Sequence, residues 1–222
     1  NRKLRSSILV SENGFQLLID CSTDFREQAL RHNLHDVDAI VLTHGHAVHI
    51  GGLDESRIFS MVHKKRIPVY APPYVCDDLR VRMAYCFNPP QKGGGVPELE
   101  LIPIDAPFHV GPFRLTPIPV KHGIVDVLGF RIRDFVYVTD ASFIPPESLA
   151  LMESCSVMIL NALRHRPHPT HLSLPEAVDI ARRIAPRQTY FIHACHDLEH
   201  EKTNAELPPG MALAHDGLAF CC

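Results

Sequence analysis

The 222-residue chain has no apolar run of about 18 residues, the length a membrane-spanning helix needs, so no such helix is expected. It has no block of basic residues. Its 22 Lys and Arg stand against 25 Asp and Glu, for a net charge of -3, and attraction to nucleic acid or to an anionic membrane is not expected. None of its seven cysteines falls in a C-x-x-C pair, and the number is odd; both facts argue against a disulfide framework and for reduced thiols in a cytoplasmic setting. No export signal is visible, and the chain opens at Asn1 rather than Met, so a preceding segment is expected.

With 45% hydrophobic residues, a chain of this length can bury a sizeable core. No internal repeat or linker appears, and the expectation is one domain over 1–222. Ser7–Val10 and Phe15–Ile19 flank Asn13-Gly14, a two-residue hairpin signal. Helices are expected over Thr23–His32 (capped by Ser22 or Thr23, with Phe25, Ala29 and Leu30 on one face), Pro73–Ala84, Pro146–Glu153, Leu174–Ile184 and Glu199–Glu206. Strands are expected over Ala39–Leu42, Pro68–Tyr70, Leu99–Ile104, Phe113–Val120, Leu128–Ile132, Phe135–Thr139, Val157–Leu160 and Thr189–Ile192, and a closing hairpin over Met211–Ala214 and Gly217–Phe220. Lys92–Gly95 reads as a flexible loop. Strand-rich halves interspersed with helices suggest stacked sheets covered by helices.

Fifteen histidines are many for this length, and they concentrate in 44–49, 165–171 and 193–200. In Thr43-His44-Gly45-His46-Ala47-Val48-His49, three imidazoles follow the apolar run Ala39–Leu42 at i, i+2 and i+5, a spacing easy to explain as a metal site and hard to explain as packing. His122 follows Leu115–Val120, Asp140 follows Phe135–Val138, and His193 follows Tyr190–Ile192. Strand ends are where a rigid scaffold presents chemistry on loops.

This pattern resembles that of the metallo-β-lactamase fold hydrolases, whose motif H-x-H-x-D-H is followed by a distant His, an Asp after a strand and a late His. The match runs in order along essentially the whole chain. It implies an αββα sandwich (α+β, two mixed sheets flanked by helices) holding one or two divalent ions, Zn or Mn. Carried over residue by residue, one ion takes His44, His46 and His122, the other takes His49 and His193, and Asp140 bridges both. Within that superfamily, Asn161–His171 and His193-Ala194-Cys195-His196-Asp197 resemble the phosphoribosyl cyclic phosphate phosphodiesterase branch. That resemblance makes His171 the proton donor and His196 the counterpart of a structural-zinc ligand. The cysteines of that zinc knuckle have no counterpart here, so the knuckle and the first strand of the fold are expected to be missing. Arg164 and His168 are candidate substrate contacts, with a solvated surface about as good a reading for the arginines.

Phosphodiester hydrolysis suits these residue types: a divalent ion polarises a phosphoryl oxygen and lowers the pKa of bound water to about 7, and a positioned histidine protonates the leaving alkoxide. Val48 stands where the family has a carboxylate, and valine has no lone pair to give. An inactivating change, a one-metal enzyme and a catalytically weakened or inactive binder of metal or ligand are the open readings. The expected substrate is a small cyclic or linear phosphodiester, with no nucleic-acid or membrane partner and a homodimer allowed.

Overall fold

The computed structural model describes residues 3–88 and 95–221 of the chain. The expected loop at Lys92–Gly95 lies, apart from Gly95, outside the described residues. The chain divides into two compact units, one over 4–113 and one over 114–221 with Lys3.

In the first unit, β1 (Ile8–Glu12) and β2 (Phe15–Ile19) form the expected hairpin, with Glu12 opposite Phe15. Asn13 and Gly14 both take positive φ, 49° and 84°, the geometry that matches the twist of paired strands. There follow α1 (Phe25–Arg31), β3 (Ala39–Val41), α2 (Ala47–Ile50), a 3-10 turn at Leu53–Ser56, α3 (Arg57–His63), β4 (Ile67–Ala71), α4 (Pro73–Arg82), α5 (Ala84–Phe87), β5 (Leu99–Pro103) and β6 (Phe108–Val110). The strands β1-β2-β3-β4-β5 form one mixed sheet, antiparallel only between β1 and β2. Its core joins Leu18, Ile40, Ile67, Val69 and Leu99 from the strands to Phe25, Phe59, Val75 and Leu79 from the helices.

The second unit carries β7 (Phe113–His122, its first residue in the preceding unit), β8 (Val125–Ile132), β9 (Phe135–Val138), α6 (Pro146–Met152), β10 (Val157–Asn161), α7 (Leu174–Ile184), β11 (Gln188–Ile192), α8 (His200–Glu206) and β12 (Met211–Leu213). Its strands run in the order β12-β11-β10-β9-β8-β7, parallel from β12 through β9 and antiparallel across β9-β8-β7. Helix α7 has the boundaries its sequence predicts. Ser173 and Glu176 close a capping box, Pro175 sits in the first turn, and Leu174, Ala177, Val178, Ala181 and Ile184 bury one stripe against Met158, Leu160 and Phe191.

Two expectations are corrected. Helix α1 starts at Phe25 because Ser22 uses its hydroxyl and carbonyl in a turn onto the N–H groups of Asp24 and Phe25; Leu30, expected on the buried face, is exposed. The closing hairpin does not form. Leu213 pairs in parallel with Phe191, and Gly217–Phe220 adds no strand; Phe220 instead stacks on Tyr190, with ring centroids 5.4 Å apart.

Candidate metal centre

In the first unit the parallel strands β2 and β3 end side by side, Ile19 opposite Val41, so the residues that follow each strand meet. Asp20 follows β2 in left-handed backbone (φ 61°), a conformation Asp tolerates better than most residues. Its fully buried carboxylate accepts three hydrogen bonds: Thr43 N–H at 2.9 Å and Thr43 Oγ1–H at 3.0 Å on Oδ1, and His49 Nδ1 at 2.8 Å on Oδ2. Since Oδ2 accepts, His49 carries its proton on Nδ1 and has Nε2 as its unprotonated nitrogen. The same logic reaches His44. The one proton of the Thr43 hydroxyl points at Asp20, so Thr43 Oγ1 accepts from His44 Nδ1, 3.0 Å away, and His44 also presents Nε2 as a lone pair. One carboxylate therefore sets two imidazole tautomers, one directly and one through a hydroxyl.

His44 Nε2 and His46 Nδ1 lie 3.0 Å apart. That is hydrogen-bond range, and it is close to the roughly 3.3 Å expected between two nitrogens on one tetrahedral ion at about 2.0–2.1 Å. Gly51-Gly52 closes the loop behind His49. A Cβ on Gly52 would lie 2.1 Å from the Ser22 carbonyl oxygen, so only glycine fits. Val48 is half-buried in α2.

In the second unit β9 and β11 flank β10 in parallel register, Val138 opposite Leu160 and Asn161 opposite Ile192, which brings the residues after both outer strands to one end. Asp140 and His193 take left-handed φ of 57° and 59°, and His193 Nε2 lies 3.4 Å from Asp140 Oδ2. Such conformations cost free energy and persist where surrounding structure holds them. The holder is Asn161, whose buried side chain bonds the main chain of Ala141 in both directions, at 2.7 and 2.9 Å. Thr139 Oγ1 donates to the other Asp140 oxygen.

β7 runs antiparallel to β8, and β8 antiparallel to β9, so His122 ends its strand in the same direction as β9. Its Nδ1 donates to the main-chain oxygen of Thr170 at 2.6 Å; a carbonyl can only accept, so Nε2 is again the ligand nitrogen. His122 and Asp140 offer ligand atoms within 4.8 Å of each other.

His171 belongs to the same group, its Nε2 3.5 Å from Asp140 Oδ2 and its ring beside those of His122 and His193. The His168 ring lies beside it, tilted by 56° with centroids 5.1 Å apart. Burial above all, with the neighbouring Arg164 guanidinium adding to it, holds His168 below the usual imidazole pKa. The Arg164 guanidinium is spent on its own loop: Nε and Nη2 donate to the carbonyls of Arg166 and Pro167, a geometry that shapes the loop rather than forming a two-pronged grip on a phosphate. Cys195, His196 and Asp197 cluster on the surface, with the His196 side chain almost fully exposed.

The histidines named from the sequence thus fall into two groups, each within its own unit. Sequence reasoning passed over Asp20, Thr43, Asn161 and Thr170. Asp20 carried a usable signal, because it follows the apolar run Leu17–Ile19 just as Asp140 follows Phe135–Val138.

Comparison with known proteins assigns the class. The family profile described as Beta-lactamase superfamily domain matches residues 16–194, and the chain belongs to that family and has the metallo-β-lactamase fold. Within it the chain is PhnP-like: a crystal structure described as a new diphosphatase from the PhnP family is 40% identical, with a TM-score of 0.91 over 98% of this chain and 83% of that one. The fold is therefore the expected metallo-β-lactamase fold, with two mixed sheets and flanking helices, and it implies divalent metal ions. The octanoyltransferase of Porphyromonas gingivalis is 35% identical over 98% of this chain and 45% of its own length. Ribonuclease Z of Methanopyrus kandleri is 38% identical over 29% of this chain and 24% of its own. The chain spans less than half the length of these curated relatives. The donor chemistry fits the implied ions, since His44, His49 and His122 each have Nδ1 tied to an acceptor, which makes Nε2 the unprotonated nitrogen a metal requires.

Proposed function

We propose that the protein hydrolyses a P–O bond in a small phosphodiester, cyclic or linear, with zinc or manganese held by His44, His46 and His122 and by His49, Asp140 and His193. This ligand assignment rests on the family's order of residues. The observation that supports the reaction class best is the similarity, over 98% of the chain, to a PhnP-family diphosphatase. A divalent ion bound there supplies the polarisation of the phosphoryl oxygen and a hydroxide nucleophile near neutral pH. The chain's own residues do the rest. Asp20 and the Thr170 carbonyl hold the ligand imidazoles in one tautomer. Asp140, held by Asn161 and Thr139, fixes the negative charge. His171, within 3.5 Å of Asp140, protonates the leaving oxygen. A small-molecule substrate, a cytoplasmic setting and a homodimer without nucleic-acid or membrane partners belong to the same proposal. Among the described residues no helix is long and apolar enough to cross a membrane.

Two further readings have specific support. The relative's own description favours a diphosphate, whose anhydride bond needs the same machinery. Val48 favours a binder that has lost turnover. The test is metal content per chain, together with hydrolysis of bis(4-nitrophenyl) phosphate, a ribose cyclic phosphate and a nucleoside-diphosphate sugar, for the parent protein and for Val48→Asp. The expected result is about one ion rising to about two in the variant, with diester turnover rising as well. Turnover of the diphosphate alone would move the assignment to that bond. No turnover in either form, with metal bound, would establish the binder.

A further inference from the structure

Thr170 touches His122, His168 and His171 together. Its main-chain N–H donates to His168 Nδ1 at 3.3 Å, which makes that nitrogen an acceptor. His171 Nδ1 lies 3.3 Å from the same atom. Two bare lone pairs would repel at that distance, so His171 Nδ1 carries a proton. The Thr170 hydroxyl sits between them, 3.0 Å from His171 Nδ1 and 3.2 Å from His168 Nδ1. With a single proton to place, it donates to His168 and accepts from His171. The methyl pins this rotamer: Gly123, at φ 62°, leaves the space that Thr170 Cγ2 fills, and a Cβ there would come within 3.0 Å of it.

We infer that Thr170 is a positioning residue whose hydroxyl, held by His168, fixes His171 with its proton on Nδ1 and its Nε2 turned toward Asp140. Its functional consequence rests on the reading of His171 as proton donor, in which the doubly protonated ring gives up its Nε2 proton to the leaving oxygen and returns to the Nδ1–H form; its structural content does not. The same residue orients His122 through its main-chain oxygen, so the loop 168–171 sets two tautomers by two different groups. The depressed basicity of His168 agrees with a neutral acceptor at the end of the chain. The bonds from Arg164 to the Arg166 and Pro167 carbonyls brace the loop that carries it.

Thr170→Val separates the two roles, because it keeps the methyl and the main-chain oxygen and deletes the hydroxyl. Long-range 1H–15N spectra of the imidazole rings, assigned against His171→Gln, read the tautomer directly on zinc-loaded protein. The expected result is that His171 shows the Nδ1–H form in the parent and a mixture with Nε2–H in Thr170→Val. His122 is unchanged, and Thr170→Ser restores the parent spectrum. His168→Leu is a second route to the same shift, since it frees the Thr170 proton to turn onto His171. An unchanged His171 spectrum in both Thr170→Val and His168→Leu overturns the inference. Kinetics supply the functional arm. Thr170→Val lowers kcat on an alkyl phosphodiester roughly tenfold or more, the scale of a weakened general acid, and leaves a 4-nitrophenyl ester, whose leaving group needs no proton, within threefold. If no phosphodiester is turned over at all, the proposed activity fails while the spectra still decide the tautomer.

Discussion

Asp20→Asn tests the logic of the first ligand group most sharply. Asparagine is nearly isosteric with aspartate and tolerates the left-handed backbone at φ 61°. It cannot, however, accept on both branches. If its oxygen faces Thr43, its NH2 points at the Nδ1–H of His49; if the amide flips, the NH2 points at the Thr43 N–H and hydroxyl. In the first orientation His49 relieves the clash by moving its proton to Nε2, which removes the lone pair a metal needs. Losing a hydrogen bond to a charged group costs about 1.5–3 kcal/mol, so the metal-free variant should lose about 2 kcal/mol in urea unfolding. Loss of such an orienting partner weakens metal binding about 10–100-fold. Chelator competition with zinc on folded protein measures the second quantity separately from the first. If the variant shows the expected fall in stability but binds zinc within twofold of the parent, the tautomer argument is wrong and Asp20 is only a buried brace.

Two other outcomes follow from local geometry. Gly52→Ala would place a Cβ against the Ser22 carbonyl and the Phe25 Cβ, 2.1 and 2.6 Å away, and neither can retreat. It should cost about 3 kcal/mol or more or abolish folding, whereas Gly14→Ala, with open space but φ 84°, should cost only about 1–2 kcal/mol in the same urea titration. For the thiols, burial pushes Cys21 far up, with Asp20 and Glu55 adding to it, while Cys221 is exposed. Alkylation of native protein followed by peptide mapping should label Cys221 first and reach Cys21, Cys76 and Cys155 only on unfolding. Equal rates at Cys21 and Cys221 would contradict this burial.

The parts of the fold read correctly from sequence are those whose signals are local. Helix α7 carries its own cap, proline and apolar stripe, and Asn13-Gly14 carries its own φ values. The 3-10 turn and α3 over 53–63 went unread because Ile58, Met61 and Val62 face solvent while only Phe59 and Ser60 of α3 are buried, so no core-facing period exists to find. The closing hairpin was misread because the run Met211–Leu213 fits an antiparallel return as well as it fits the parallel edge that β12 forms beside β11. Only the neighbour decides between them, and the neighbour lies about 20 residues away in sequence.

The candidate site divides along the same line. The ligands His44, His46, His49, His122, Asp140 and His193 announce themselves because metal chemistry restricts residue type and strand ends restrict position. What fixes the nitrogen each histidine offers is written differently. For His49 it is a carboxylate 29 positions earlier, and for His122 a carbonyl 48 positions later. A carbonyl acceptor exists at every residue, so no side-chain pattern can mark that it is Thr170 rather than a neighbour. It is the path of the loop, set by the Arg164 bonds and the Gly123 contact, that places it there. A substitution that respects every ligand can therefore still disable the centre by moving a main-chain oxygen, and the positions where that would happen, 123, 161 and 164 among them, lie outside the ligand set.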